Sequence, residues 1–350
     1  MSRRLLACLL LCAALPGPSP AAAAKRGLDV YWIDTEGGAA TLIVTPAGES
    51  VLIDCGNPGR RDADRIFQTA TKQAGLTAID HLIVTHWHTD HYGGTGRLAQ
   101  LMPVRRFYNR GIPETLAEDR FNFPGLIRAY KTASAGKSTT LKPGDEIKLK
   151  QAPAAPAVKL LCVCGNGEVL PAKAGAPANP FAREHKPQPV DTSDNARSLG
   201  FVLSFGKWRF LDLGDLTWNV EHKLVSPSDR LGPIDVYQVT HHGLEISNNP
   251  VLIKTVAPRV AVCNNGPYKG GHPAVIATLR RVPGIEGIYQ LHRNLRATDA
   301  ENADADKIAN DGRKKESGAG VRLSVAADAK TYTVTVGARG KPRTYRTRAD

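Results

Sequence analysis

Short apolar runs rich in β-branched residues alternate with turn signals along most of this chain. Leu28 to Asp34, Ala40 to Thr45 and Val51 to Asp54 are strand-type runs separated by Glu36-Gly37-Gly38 and Pro46-Ala47-Gly48, which predicts an antiparallel meander. Residues 61–74 carry a helical period, Leu82 to Thr85 returns to a buried strand, and Gly93-Gly94 opens a helix over Thr95 to Leu101. Between 103 and 150 the pattern predicts a strand at Val104 to Tyr108. Short helices follow at Pro113 to Asp119 and Gly125 to Thr132, split by Pro124, and a turn at Lys142-Pro143-Gly144 leads into Glu146 to Leu149. Val158 to Cys164 reads as another strand. Residues 165–192, rich in Pro, Ala, Gly and Lys and without period, read as a long surface loop, a mobile insertion before a border to a substrate site.

The pattern sharpens from Leu199. Leu199 to Phe205 and Trp208 to Leu213 predict a hairpin about Gly206-Lys207 that ends in Gly214-Asp215, followed by a helix over Thr217 to Ser226. Ile234 to Thr240 is a buried strand that runs into His241-His242-Gly243. Arg259 to Cys263, a helix from Pro273 to Arg281 and Ile285 to Leu291 continue the alternation, with His272 at the helix start. Residues 297–318 carry Asp299, Glu301, Asp304 and Asp306 without the spacing of a calcium loop, and read as solvated loop. Val321 to Val325 and Thr331 to Val336 predict a closing hairpin. The organisation expected is one domain over 25–337 and a basic tail over 338–350. In that tail Arg339, Lys341, Arg343, Arg346 and Arg348 surround Tyr345, more as a frayed end than as a phosphate-binding arm.

The first residues change the compartment. Arg3 and Arg4, the apolar run Leu5 to Leu15 and the small-residue stretch Pro16 to Ala24 have the form of a signal peptide over 1–24, cut near residues 21–24. The ordinary secretory route fits better than a twin-arginine signal or a lipoprotein anchor at Cys8 or Cys12. No later run is long and apolar enough for a membrane helix, so a secreted or periplasmic product is expected. The formal net charge of +13 points to anionic partners, nucleic acid among them, or serves solubility alone. Cys55, Cys162, Cys164 and Cys263 match no zinc knuckle. Cys162 and Cys164 fall on one face of their strand, which predicts packing or an optional disulfide.

The chemistry concentrates in Thr85-His86-Trp87-His88-Thr89-Asp90-His91-Tyr92-Gly93-Gly94. Three imidazoles and a carboxylate directly after a buried strand make a metal site. His86 and His88 project the same way if strand geometry persists, and Asp90 and His91 can turn towards a second, adjacent cation. Asp215 and His241 also stand at strand ends, where a sheet edge can bring them to the same place.

His86-x-His88-x-Asp90-His91, with Leu52-Ile53-Asp54-Cys55-Gly56 and Gly214-Asp215, closely resembles the motif set of the metallo-β-lactamase superfamily. Asp194-Asn195-Ala196-Arg197-Ser198-Leu199, His241-His242-Gly243 and Gly271-His272-Pro273 are similar to the secreted relatives of the metallo-β-lactamase domain of the competence protein ComEC. The resemblance covers most of the chain after residue 24. It implies an α/β fold, the four-layered αββα sandwich, and two divalent cations. By this resemblance His86 and His88 hold the first cation, Asp90 and His91 the second, Asp215 bridges, and His241 completes the second with His242 behind it. The order of His241 and His242 stays open. Where the family carries a further histidine just before the Leu199 strand, this chain has Ser193, Asp194 and Asn195. Oxygen donors there make manganese a second expectation after zinc, and which of Asp194 and Asn195 replaces the imidazole is open.

A ligand set of this kind supports hydrolysis, because two cations acidify a shared water and bind developing negative charge. The expected reaction is attack on a phosphodiester, DNA or another anionic phosphoester. Asp90 and Asp215 would hold the cations, and His242 or His272 would protonate the leaving oxygen. A hydrolase of esters, lactones or β-lactams is the competing enzyme reading, and a secreted binding protein with a relic metal site is the third. The oligomeric state is not legible.

Overall fold

The computed structural model describes residues 26–312, 318–338 and 340–348. The segment 1–24, expected to be an export signal, and Arg339 of the basic tail lie outside the described residues. The first sheet begins with β1 (Leu28–Trp32), β2 (Thr41–Val44) and β3 (Ser50–Ile53), paired antiparallel. After α1 (Arg61–Gln68), continued by a π-helical turn to Gln73, β4 (Ile79–Ile83) lies parallel to β3. The short α2 (Thr89–Tyr92) and α3 (Thr95–Leu101) lead to β5 (Val104–Asn109), and α4 (Phe123–Ala133) to β6 (Thr139–Thr140).

The second sheet opens with β7 (Glu146–Ile147), β8 (Val158–Gly165), β9 (Glu168–Val169), β10 (Gly200–Phe205) and β11 (Trp208–Asp212). It continues in parallel through α5 (Trp218–Lys223), β12 (Val236–Gln238), α6 (Pro250–Val256), β13 (Val260–Cys263), α7 (Pro273–Arg281), β14 (Gly287–His292) and β15 (Ile308–Asn310). The chain then returns to the first sheet as β16 (Val321–Val325), β17 (Thr331–Val336) and β18 (Arg343–Arg346), beside β1.

The period-two alternation of the strands builds the layers. Val30, Trp32, Ile43, Val51 and Ile53 meet Leu160, Phe201, Phe210, Val236 and Val262 between the sheets. The intervening Leu42, Val44 and Leu52 pack on Ala63, Ile66, Leu98 and Tyr130 of the helices. On the far side Tyr237, Ala261 and Cys263 pack on Val220, Leu252 and Ile276. This is the expected αββα sandwich, and each fully buried aliphatic side chain in it contributes roughly 1.5–3 kcal/mol. Polar links also cross the inner layer: Gln238 Oε1 accepts from Trp32 Nε1 at 2.8 Å and Thr41 Oγ1 at 2.7 Å.

Several expectations are corrected. The helix expected over Pro113 to Asp119 is a single 3₁₀ turn at Ala117–Asp119, whereas Pro124 sits in the first turn of α4, where its missing N–H costs nothing. The loop 165–192 is pinned: Asn179 donates to Val225 O at 2.7 Å and Thr255 Oγ1 at 2.8 Å. Residues 297–318 are not all solvated loop, since they contain β15 and a capping box between Thr298 and Glu301. Arg343–Arg346 is no frayed end: it pairs with β17, and buried Tyr345 stacks on Tyr332 with ring centroids 5.4 Å apart. A bulge in β8 opposite Gly200 and Phe201 sends Cys162 to the inner layer and Cys164 to the outer one. Both are therefore packed free thiols rather than neighbours on one face.

Candidate metal centre

The expected ligands converge because they follow the carboxyl ends of strands that point the same way. Asp54 follows β3, His86 to His91 follow β4, Asp215 follows β11 and His241-His242 follow β12. β4 ends at Ile83, so His86 and His88 are presented by a loop rather than by the strand pleat. That loop is fixed by Asp54, a buried carboxylate with φ 59° that accepts from Thr85 N at 2.8 Å and Thr85 Oγ1 at 2.7 Å. Asp54 also receives His91 Nδ1 at 2.7 Å, which turns Nε2 of that ring inward, the usual way a carboxylate orients a metal-binding histidine. Gly94 permits the close approach behind the loop, for a Cβ there would stand 2.1 Å from Cys55 O.

From the other sheet, His241 N bonds Gly214 O at 3.0 Å, and both His241 (φ 55°) and His242 (φ 53°) are left-handed. Two successive non-glycine residues in that region cost roughly 1–2 kcal/mol each, and such strain is tolerated where side-chain placement matters. One oxygen is the hub. Asp215 Oδ2 lies 3.1 Å from His91 Nε2, 3.3 Å from His242 Nε2, 3.4 Å from His241 Nε2 and 3.9 Å from His86 Nε2. Asp90 Oδ2 lies 3.3 Å from His242 Nε2 and 3.7 Å from His91 Nε2. Two groups of donor atoms, each within 4.8 Å of one another, result: His86, His91 and Asp215, and Asp90, His91 and His242.

These residues fit a pair of divalent cations. His86 Nε2 is buried with no hydrogen-bond partner, as is Asn195 Oδ1, and a buried polar atom left open in this way needs a partner. Burial, with His91 beside it, holds His86 well below the ordinary imidazole range, so it stands as a neutral nitrogen donor. Burial also lowers His241, to about 4, against the pull of Asp215. His91 is the opposite case: burial works against its charge, yet the carboxylates of Asp215, Asp54 and Asp90 raise it well above that range. Burial would raise Asp90 and Asp215 too, but the surrounding imidazoles, with Lys269 at Asp90, hold both well below the usual carboxylate range. The pocket of carboxylates demands positive charge.

Of the expected residues, His86, Asp90, His91, Asp215, His241 and His242 come together. His88 stands at the edge, its ring 4.6 Å from that of His86 and its Nε2 3.4 Å from Glu118 Oε1. Of the histidine pair, whose order the sequence leaves open, His242 is the one grouped with Asp90 and His91. The paired left-handed turn aims the second ring inward and leaves His241 Nε2 3.4 Å from Asn195 Nδ2 and Nδ1 3.1 Å from Ser247 Oγ. His272 belongs to neither group and caps α7, its Nδ1 accepting from Ala274 N at 3.3 Å. Asp194 is committed elsewhere, to an ion pair with Arg110 and to Trp87 N at 2.7 Å, so of the two it is Asn195 that reaches His241, at 3.4 Å.

Lys269 was missed, and its Nζ lies 2.5 Å from Asp90 Oδ2. Its one signal was a lysine set in the glycine-dense segment Gly266-Pro267-Tyr268-Lys269-Gly270-Gly271 just before α7. Glu118 and Ser247, which reach His88 and His241, carried no signal at all.

Comparison with known proteins gives a consistent picture. Residues 33–168 match the family model described as the Metallo-beta-lactamase superfamily. A UPF0173 metal-dependent hydrolase of Cupriavidus taiwanensis is 32% identical over 153 residues, 40% of this chain and 50% of that protein. Recombination protein 2 of Haemophilus influenzae is 25% identical over 262 residues, 73% of this chain and 27% of that protein. The chain therefore spans half the length, or less, of these relatives. Among solved structures, CmlA, a diiron beta-hydroxylase from Streptomyces venezuelae, aligns with a TM-score of 0.45 at 15% identity, covering 78% of this chain and 53% of that one.

Proposed function

We propose that this chain is a metal-dependent hydrolase of phosphodiesters of the metallo-β-lactamase type, with a two-cation centre; the match of residues 33–168 to that superfamily's model supports the reading. The observation that carries the reading is the single oxygen Asp215 Oδ2, faced by four imidazole nitrogens between 3.1 and 3.9 Å away. Asp90, His91 and His242 would hold one cation, His86 and His88 the other, with Asp215 within reach of both. His241, drawn beside Asn195, stands in for the histidine that the family carries before β10. With imidazoles in the majority, zinc is the first choice of metal and manganese the second.

When bound, such a pair supplies an acidified water and stabilises negative charge at the attacked group. The chain's own residues position and protect it. Asp54 and Thr85 keep His91 Nε2 turned inward, and Arg110 holds Asp194 so that Asn195 stays in place. His272 N bonds Gly243 O at 2.9 Å, which ties the start of α7 to the His242 loop, and its Nε2 lies 3.9 Å from Glu245 Oε2. Because its Nδ1 accepts from Ala274 N, its proton rests on Nε2, from which it can pass to a leaving oxygen.

Phosphodiester is preferred because the chain is basic, Lys269 faces the centre, and the relative called Recombination protein 2 is similar over 73% of this chain, which suggests DNA. Exposed Phe121, Val190, Ile246 and Tyr268, each a few residues from a residue bonded into the centre, favour a second reading, an ester or lactone with an apolar body. The residues ahead of Lys25 have the form of an export signal, so the work is assigned outside the cytoplasm. The test is metal analysis of the wild type and Asp90→Asn, coupled to a panel of bis(p-nitrophenyl) phosphate, single-stranded DNA, a lactone and nitrocefin. About two equivalents, with diester turnover lost in Asp90→Asn, support the proposal. Turnover confined to the lactone moves the assignment to the second reading, and no metal with no turnover overturns both.

A further inference from the structure

Lys269 belongs to no ligand set, yet its ammonium enters the centre. Nζ is 2.5 Å from Asp90 Oδ2, the same oxygen that faces His242 Nε2 at 3.3 Å and His91 Nε2 at 3.7 Å. The segment that carries it is tied to the same histidine. Gly271 N donates to His242 O at 2.7 Å, and Gly270 (φ 77°) passes so near that a Cβ would lie 2.0 Å from that oxygen. Gly266 N closes the turn on Lys269 O at 2.8 Å. The backbone is therefore held against the centre while the side chain, 41% exposed, keeps a path to solvent.

We propose that Lys269 is a built-in competitor for the second cation and makes the two positions fill unequally. This rests on the two-cation reading above. A divalent cation held by Asp90, His91 and His242 must use the oxygen that the ammonium holds. The two like charges repel strongly at a few ångströms in a largely buried site. Among the described residues no comparable cation reaches His86: its buried Nε2 is without a hydrogen-bond partner, and the charges around it are imidazoles, Asp215 and Asp90. The His86 position accordingly fills first, and the Asp90 position fills weakly and only at higher metal concentration.

The test is calorimetric titration of zinc, and separately manganese, into the full chain after chelation, for the wild type, Lys269→Gln and Lys269→Arg. Two unequal equivalents are expected in the wild type. The weaker should tighten on the order of tenfold or more in Lys269→Gln and stay weak in Lys269→Arg, which keeps the charge. A melting curve supplies the second readout: the metal-induced rise in Tm at low metal should be larger in Lys269→Gln. Two equivalents with an unchanged or weakened second constant in Lys269→Gln overturn this proposal alone. A wild type that binds no cation overturns the two-cation reading, and this one with it.

Discussion

The Asp90 side and the His86 side of the centre draw on the same two sheets but are made of different chemistry. Around Asp90 the protein concentrates charge: two carboxylates held ionised, His91 pushed up by three acidic neighbours, and Lys269 on the same Asp90 oxygen that faces His91 and His242. Around His86 it collects neutral donors: His86 and His241 pushed down by burial, and Asn195 with an open carbonyl oxygen. One side attracts a cation by charge and screens it with a lysine, while the other offers buried nitrogen lone pairs and little competition. The contrast teaches that two donor groups built around one oxygen, Asp215 Oδ2, need not be equivalent.

The largest effect should come from removing what the two sides share. Asp215→Asn takes away a carboxylate oxygen that lies near both His86 and His242. Both equivalents of metal should be lost or strongly weakened, and kcat for the favoured substrate should fall by about 10³-fold or more. Metal analysis beside kinetics checks this, and if Asp215→Asn still retained two tight equivalents, the comparison would have lost its hub.

A smaller change sharpens the contrast. Asn195→His places an imidazole where Asn195 faces His241 at 3.4 Å. The first zinc should tighten by roughly 10–100-fold with the second nearly unchanged, since the substitution acts on one side only. Equal tightening of both, read by competition with a chelator of known affinity, would mean that the sides are not separate. Smaller again, His272→Ala should slow a diester with a poor leaving group by on the order of 10²-fold yet spare one with a good leaving group. Equal rates on both would leave His272 as the cap of α7 and no more.

The difference between the sides was only partly legible in the sequence, and the reason is how each residue is placed. His86 to His91 are contiguous, so their convergence needs no tertiary information, and α3 and α7 were readable to the residue because glycines or His272-Pro273 mark their starts. By contrast, α6 begins at Asn249-Pro250, which reads as a turn until the Asn249 side chain is seen to accept from Val251 N. β18 was hidden because its alternation, with Tyr345 buried between exposed Thr344 and Arg346, is spread over four residues in a basic tail. The order of His241 and His242 turns on two left-handed residues, and the reach of Lys269 on a loop bonded to the His242 carbonyl. No periodicity carries either fact.

The smallest predicted effect supplies a control, a buried carboxyl that serves neither side. Glu221, on α5, is wholly buried, with Oε2 accepting from Asn249 N at 2.7 Å and Oε1 without a partner. Burial, only partly offset by the amides of Asn249 and Asn248, raises it from 4.5 to about 7. In that interval the folded chain keeps a proton that the unfolded chain has lost, so this group's contribution to stability falls as pH rises through the window and stays low above it. Glu221→Gln removes the titration. Its stability relative to wild type should be near zero at pH 4 and favourable by on the order of 2 kcal/mol at pH 8, read from chemical denaturation at each pH. Metal content and turnover should not move, because Glu221 is outside both donor groups. A variant that lost a cation would tie α5 to the centre through Asn249 and the His241 loop, and the line drawn here between the two charge environments and the scaffold behind them would have to be redrawn.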